Sequence, residues 1–266
     1  MTALVVIPAR HASTRYPGKP LVELRGATGE ARPLIRRSWE AARAISGVAR
    51  VVVATDDDRI RDACAGFGAE VVMTSATCAN GTERCAEAAV KLGGEYEMVV
   101  NLQGDAPLTP PWFVEALLDA LRDDRAAQMA TPVLRCDGRA LNGFLEDRRA
   151  GRVGGTTAVF GANGRALYFS KEVIPFAPGP HAADSPTPVF HHVGVYAYRN
   201  QALADYADWP EGRLERQEGL EQLRFLERGQ PVLCVEVAAR GREFWELNNP
   251  EDVPRIEAML AQMGMK

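Results

Sequence analysis

Three cations crowd one short loop near the start of the chain. Arg10, Arg15 and Lys19 lie in "VVIPARHASTRYPGKPL", just after the apolar run Val5-Val6-Ile7, and are spaced by small and turn-forming residues. Backbone amides from Ala9 to Thr14 can point into a shared concavity. Oriented amides, forked guanidinium donors and a compact ammonium together suit a polyphosphate. Pro17-Gly18 favours a turn that carries Lys19 back toward the arginines. Any one of these charges fits an ordinary solvated loop. Three in one turn after a buried strand point to an anion site. The order of residues is neither GxxxxGK[ST] nor GxGxxG, so neither of those phosphate loops is present.

A second chemical feature is "VVNLQGDAP", residues 99–107. Val99 and Val100 lead through Asn101 to Gln103, Gly104 and Asp105. A carboxylate at the end of a buried strand, beside a flexible glycine, is a good magnesium ligand, because Mg²⁺ needs few protein oxygens when phosphates supply the rest. An aspartate capping the following helix is the plainer reading of the same spacing.

The elements that must position these groups alternate. Ala3–Ile7 reads as a strand buried on both faces, and Pro33–Ile45 has helical spacing of apolar residues. Strands are expected at 51–54, 71–73, 98–102, 130–133, 194–198 and 232–237. Helices are expected at 57–66, 82–91, 110–122, 215–228 and 250–263. Apolar strands alternating with helices imply a parallel sheet covered by helices, a Rossmann-like α/β fold that collects ligands at the carboxyl ends of its strands. The three cations follow one such end.

From about Cys136 the texture turns rich in Gly, Pro and charge, which suggests a β-rich insertion with hairpin strands at 156–160 and 166–169. The stretch "APGPHAADSPTP" reads as a mobile loop. The division expected is an α/β core over 1–135, an inserted subdomain over 136–200 and a return to the core over 201–266, all within one continuous structural domain. Asp56–Asp58 reads as an acidic turn at a helix start.

The 266 residues are 46% hydrophobic and 25% charged, enough for a sizeable core. A formal net charge of −4 argues against a general nucleic-acid binder, so an anion site must be a local cluster of cations. Five scattered cysteines without a CxxC pair suggest free thiols in a reducing compartment. A secretory leader and a membrane span are not expected, which points to a cytoplasmic protein.

Eight segments, "IPARHASTRYPGKPL", "VATDDD", "NGTERCAEA", "NLQGDAPL", "ALYFSKEVIPF", "HHVGVYAYR", "LEQLRFL" and "NNPEDV", resemble in order the motifs of the 3-deoxy-manno-octulosonate (Kdo) cytidylyltransferases. The resemblance covers essentially the whole chain. It implies a nucleotide-diphospho-sugar transferase fold and an enzyme that joins CTP to the 2-hydroxyl of an eight-carbon sugar acid with Mg²⁺. It implies that Arg10, Ser13, Arg15 and Lys19 hold the triphosphate, that Thr82 and Arg84 help hold the cytidine, and that Asp105 binds metal. Gln103, His192, Tyr196, Glu221 and Gln222 would line the sugar pocket, with His192 a neutral donor to a sugar hydroxyl. It also implies a homodimer paired through Ala166–Pro175, with no nucleic acid and no membrane partner.

Four positions depart from the family's usual motifs. Asn248 stands where an aspartate is the second metal ligand, with Glu246 two residues earlier as a possible substitute. Ala106 replaces an acid, Thr157 a lysine, and Lys171 an arginine. These changes fit a variant sugar acid, such as an amino-bearing octulosonate. A sialic-acid-type nucleotidyltransferase and a CTP-binding homologue without catalysis are the alternatives.

Overall fold

A computed structural model describes residues 2–12, 16–93, 96–153, 155–242 and 245–266. They form two compact units. The first comprises Met1–Glu115, Tyr198–Ala207 and Ala239–Lys266, and the second Ala116–Ala197 and Asp208–Ala238. The second unit is therefore larger than the expected insertion at 136–200.

The first unit begins with β1 (Ala3–Ala9), β2 (Glu23–Arg25), β3 (Ala31–Pro33) and α1 (Leu34–Arg43). There follow β4 (Arg50–Thr55), α2 (Asp58–Gly66), β5 (Glu70–Met73), α3 (Gly81–Leu92), β6 (Met98–Leu102) and α4 (Pro111–Asp123). β1 pairs in parallel with β4 on one side and β6 on the other, so that Val5 faces Val51 and Val100; β4 pairs in parallel with β5. Leu4, Val5, Val6 and Ile7 are wholly buried, as a parallel strand with both faces covered requires. Burying each such aliphatic side chain contributes about 1.5–3 kcal/mol. This is the expected mostly parallel, helix-flanked sheet. It ends β1 and β6 beside each other and so fixes where the cation loop and the Gln103–Asp105 loop emerge.

The remaining elements are β7 (Met129–Asp137), α5 (Gly138–Arg149), β8 (Thr156–Phe160), β9 (Ala166–Ser170), β10 (Pro186–His192) and β11 (Val195–Arg199). After them come α6 (Asn200–Asp208), α7 (Arg213–Glu218), α8 (Leu223–Glu227), β12 (Val232–Glu236) and α9 (Val253–Gln262). In the second unit β12 runs parallel to β7, whereas β7–β10, β10–β8 and β8–β9 are antiparallel. The β-rich region is thus present.

The single helix expected over 215–228 is instead two. Gly219 ends α7 in the left-handed conformation with φ 62°, a backbone state that glycine adopts without a Cβ penalty. Arg224 of α8 then reaches back to Glu215 of α7 in a buried two-pronged pair, Nε–Oε2 2.7 Å and Nη2–Oε1 2.8 Å. Helix α5 and strand β10 were not foreseen. Only Gly138 and Leu141 of α5 are buried, so its sequence carries almost no apolar stripe. β10 contains two prolines and shifts register between Pro186 and Phe190, which hides its alternation. The stretch expected to be a mobile loop is tied along its second half, where Arg139 N donates to Ala183 O and Gly138 N to Ser185 O.

Candidate active site

In the first unit the end of β1 delivers Pro8, Ala9 and Arg10 to a cavity of about 310 Å³. The Pro17-Gly18 turn forms as expected, with Lys19 N donating to Tyr16 O at 3.2 Å and Gly18 N to His11 O at 2.9 Å. It returns Lys19 to the same cavity, where Lys19 Nζ meets Asp105 Oδ2 at 2.5 Å. Asp105 comes from the turn after β6, which sits hard against β1: a Cβ on Gly104 would lie 2.8 Å from Pro8 O. Only glycine allows that approach. Ser38 Oγ holds Gly104 O at 2.9 Å from α1.

The third wall is the N-terminus of α3, which contributes Asn80, Gly81 and Arg84. Asn80 Oδ1 accepts from Glu83 N at 2.8 Å, and Glu83 Oε2 accepts from Ala79 N at 2.8 Å. The helix start is thereby locked with its partial positive charge toward the cavity. Arg84 is buried, bonded to Thr74 Oγ1 and 3.4 Å from Asp56 Oδ1. Asp56 thus does not belong to the acidic helix turn; it holds Arg84 in place. Asp57 does cap α2, and Arg59 bonded to it holds its carboxyl down at about 2. The pair joins the residue after β4 to α3 across the fold, so no local sequence pattern signals it.

Among the described residues, Arg10, Lys19 and Arg84 face this cavity with one carboxylate, Asp105. A locally cationic hollow in a chain of net charge −4 is built for an anion. Ser13 and Arg15 lie outside the described residues. Gln103 lines the same cavity. Thr82 does not: it is buried, with its hydroxyl 2.9 Å from Tyr198 Oη. Cys78, also in the wall, donates to Glu87, and burial pushes its thiol up to about 11. It stays protonated at neutral pH.

Asn248 is brought close to Asp105 through the backbone, because Leu247 N donates to Asp105 O at 2.9 Å. Asp252 secures this segment by accepting from the amides of Asn248 and Asn249. Ala106 is wholly buried, so the family's acid is replaced by a core residue.

The second unit gathers His192, Tyr196 and Gln222. The His192 ring stands edge-on to Phe169 at 4.9 Å and lies 5.6 Å from the Tyr196 ring. Tyr196 Oη donates to Gln222 Oε1 at 3.2 Å, leaving Gln222 Nε2 buried with no partner among the described residues. Loss of water pushes the His192 imidazole down to about 3, so it is neutral near pH 7. His191 points to the opposite face of β10, edge-on to Phe144. Glu221 precedes Gln222 and is half-buried. Thr157 is buried, donates to Glu172 O and accepts from Ile174 N. It braces the turn after β9. Lys171 N donates to Glu218 Oε2, which ties that turn to α7.

A cytidylyltransferase family model matches residues 4–232. A 3-deoxy-manno-octulosonate cytidylyltransferase of Maricaulis maris is 44% identical over 99% of both chains. The chain belongs to this cytidylyltransferase family. An 8-amino-3,8-dideoxy-manno-octulosonate cytidylyltransferase of Shewanella piezotolerans is 40% identical over 98% of this chain and 99% of its own. A solved structure of CMP:2-keto-3-deoxy-manno-octonic acid synthetase complexed with CTP superposes with a TM-score of 0.82 at 35% identity, covering 99% of this chain and 100% of that one. The α/β class and the enzyme class expected from the motifs therefore hold. Among the described residues, no helix is long and apolar enough to cross a membrane.

Proposed function

We propose that this cytidylyltransferase couples CTP to the 2-hydroxyl of Kdo or a closely related octulosonic acid, giving a CMP-sugar and pyrophosphate. One observation carries the reading: Arg10, Lys19, Arg84 and the start of α3 converge on a single cavity. The triphosphate sits there, with Arg10 and Lys19, joined by Arg15, neutralising the charge that grows as pyrophosphate departs and Ser13 adding a hydroxyl donor. The sugar hydroxyl attacks the α-phosphorus directly, so the protein need supply only position and charge, without a covalent nucleophile. Arg84 supports the cytidine end, with Thr82 acting from behind the wall through its bond to Tyr198. Gln103, His192, Tyr196, Glu221 and Gln222 grip the sugar acid; the unpartnered Gln222 Nε2 is a donor suited to a hydroxyl or carboxylate.

The donor set fits Mg²⁺. Asp105 offers a hard carboxylate oxygen and Asn248 an amide oxygen on the segment bonded to it, few enough that phosphates would complete the shell. When bound, the ion supplies Lewis-acid charge to phosphate and sugar oxygens. Lys19 holds the Asp105 carboxylate beforehand and is released to phosphate as the site fills. A second copy of the chain would pair along Ala166–Pro175, where Leu167 is exposed, and the reaction would run in the cytoplasm, with its CTP.

Pyrophosphate release measured with each of the four nucleoside triphosphates, against Kdo, its 8-amino analogue and sialic acid, tests the reading. Turnover is expected with CTP and an octulosonate. Turnover with sialic acid alone, or with none of the acids, overturns it.

A further inference from the structure

Thr131 of β7 lies wholly buried beneath His192. Its hydroxyl oxygen is 2.9 Å from His192 Nε2, 2.9 Å from Val195 O and 3.3 Å from Val193 O. A threonine hydroxyl has one proton and can also accept. Val193 O already accepts Val195 N at 2.7 Å. If Thr131 gave its proton to His192, its oxygen would face Val195 O at 2.9 Å with no hydrogen between them, two lone pairs in repulsion. The proton must therefore go to Val195 O. The remaining contact, with His192 Nε2, then needs the ring to donate.

We infer that Thr131 is a positioning residue that fixes His192 in its Nε2–H form, so that Nδ1 presents a lone pair to a hydroxyl of the sugar acid. This reverses the polarity expected from the sequence, where His192 was a donor. It rests on the assignment of His192 to the sugar made above. Nδ1 carries no bond from any described residue. The loss of water around the ring keeps it neutral, and a neutral imidazole has one donor and one acceptor nitrogen. The ring plane is held by Phe169 and Tyr196, so the acceptor points in one direction. Such an acceptor selects a ligand that brings a hydroxyl proton to this point and discriminates against one that brings another acceptor, because a buried lone pair left unmet costs affinity.

The tautomer can be read directly. Protein labelled with ¹⁵N-histidine, its His192 signal assigned by comparison with His192→Phe, is expected to show the proton on Nε2. Thr131→Val keeps the shape and removes the hydroxyl. It should lose the single tautomer and raise KM for the sugar acid roughly tenfold, with KM for CTP within about twofold. Thr131→Ser, which restores the hydroxyl, should recover both properties. A wild-type ring protonated on Nδ1, or an unchanged sugar KM in Thr131→Val, overturns the inference. Failure of the underlying assignment looks different: the tautomer responds to Thr131→Val, but sugar KM moves neither there nor in His192→Phe. That result removes His192 from the sugar and the role of Thr131 with it.

Discussion

The two candidate regions solve recognition in opposite ways. The cavity of the first unit is ionic and open, with Lys19 and Asp105 both partly exposed and paired at 2.5 Å. The cluster of the second unit is neutral and buried: His192 lies against the Phe169 and Tyr196 rings and bonds Thr131, and Gln222 bonds Tyr196, all by uncharged hydrogen bonds. A polyphosphate needs charge that can be released to it as the substrate enters. A sugar acid differs from its competitors by the direction of its hydroxyls, and fixed neutral donors and acceptors read direction better than mobile charges. Under the proposed function, charge in the first unit serves the nucleotide and fixed polarity in the second serves the sugar acid.

The largest effects should fall on the ionic side. Lys19→Ala and Asp105→Ala are each expected to lower kcat/KM for pyrophosphate release by about 10²–10³-fold, with thermal melting little changed because both groups are partly exposed. A loss under tenfold in both variants would remove the cavity from the chemistry. On the closed side the largest effect is on stability. Glu215→Ala strands the buried Arg224 guanidinium and should cost about 3–5 kcal/mol in chemical denaturation. A cost under 1 kcal/mol would mean that the α7–α8 junction does not depend on the pair.

Acid sharpens the contrast. His192 has a folded value near 3, below the ordinary 6.5, so the unfolded chain takes up its proton first as pH falls. Stability from this ring is whole above pH 6.5 and drains away between 6.5 and 3, on the order of 2 kcal/mol by pH 5. Denaturation at pH 7 and pH 5 should therefore show wild type losing more than His192→Phe. Equal losses would show that the ring is not held neutral. The smallest effect concerns Asn248. Asn248→Asp should lower the Mg²⁺ concentration for half-maximal turnover a fewfold, by adding a charge to the segment bonded to Asp105. No change would take position 248 away from the metal.

What could be read from the sequence follows the same division. The first unit's strands are continuous apolar runs, and its cation loop is contiguous in sequence, so both were visible; Pro17-Gly18 even announced the return of Lys19. The Asp56–Arg84 pair was not visible, because its members are far apart in the chain and meet only when β4 and α3 pack. In the second unit, α5 has too little buried surface for an apolar stripe, and prolines 186 and 188 mask β10. Leu220, Leu223 and Leu226 suggested one long helix because periodicity cannot register a glycine that turns the backbone left-handed at 219. The bonds of Thr131 lie beyond any pattern, since they join β7 to the first residue of β11 and the turn before it.

The central claim is that the cation-lined hollow receives the nucleotide's phosphates. A crystal structure of the CTP–Mg²⁺ complex tests it most directly. The triphosphate is expected against Arg10, Lys19 and the start of α3, with the Lys19–Asp105 contact lengthened. Phosphates bound elsewhere, with Lys19 still paired to Asp105, would contradict it.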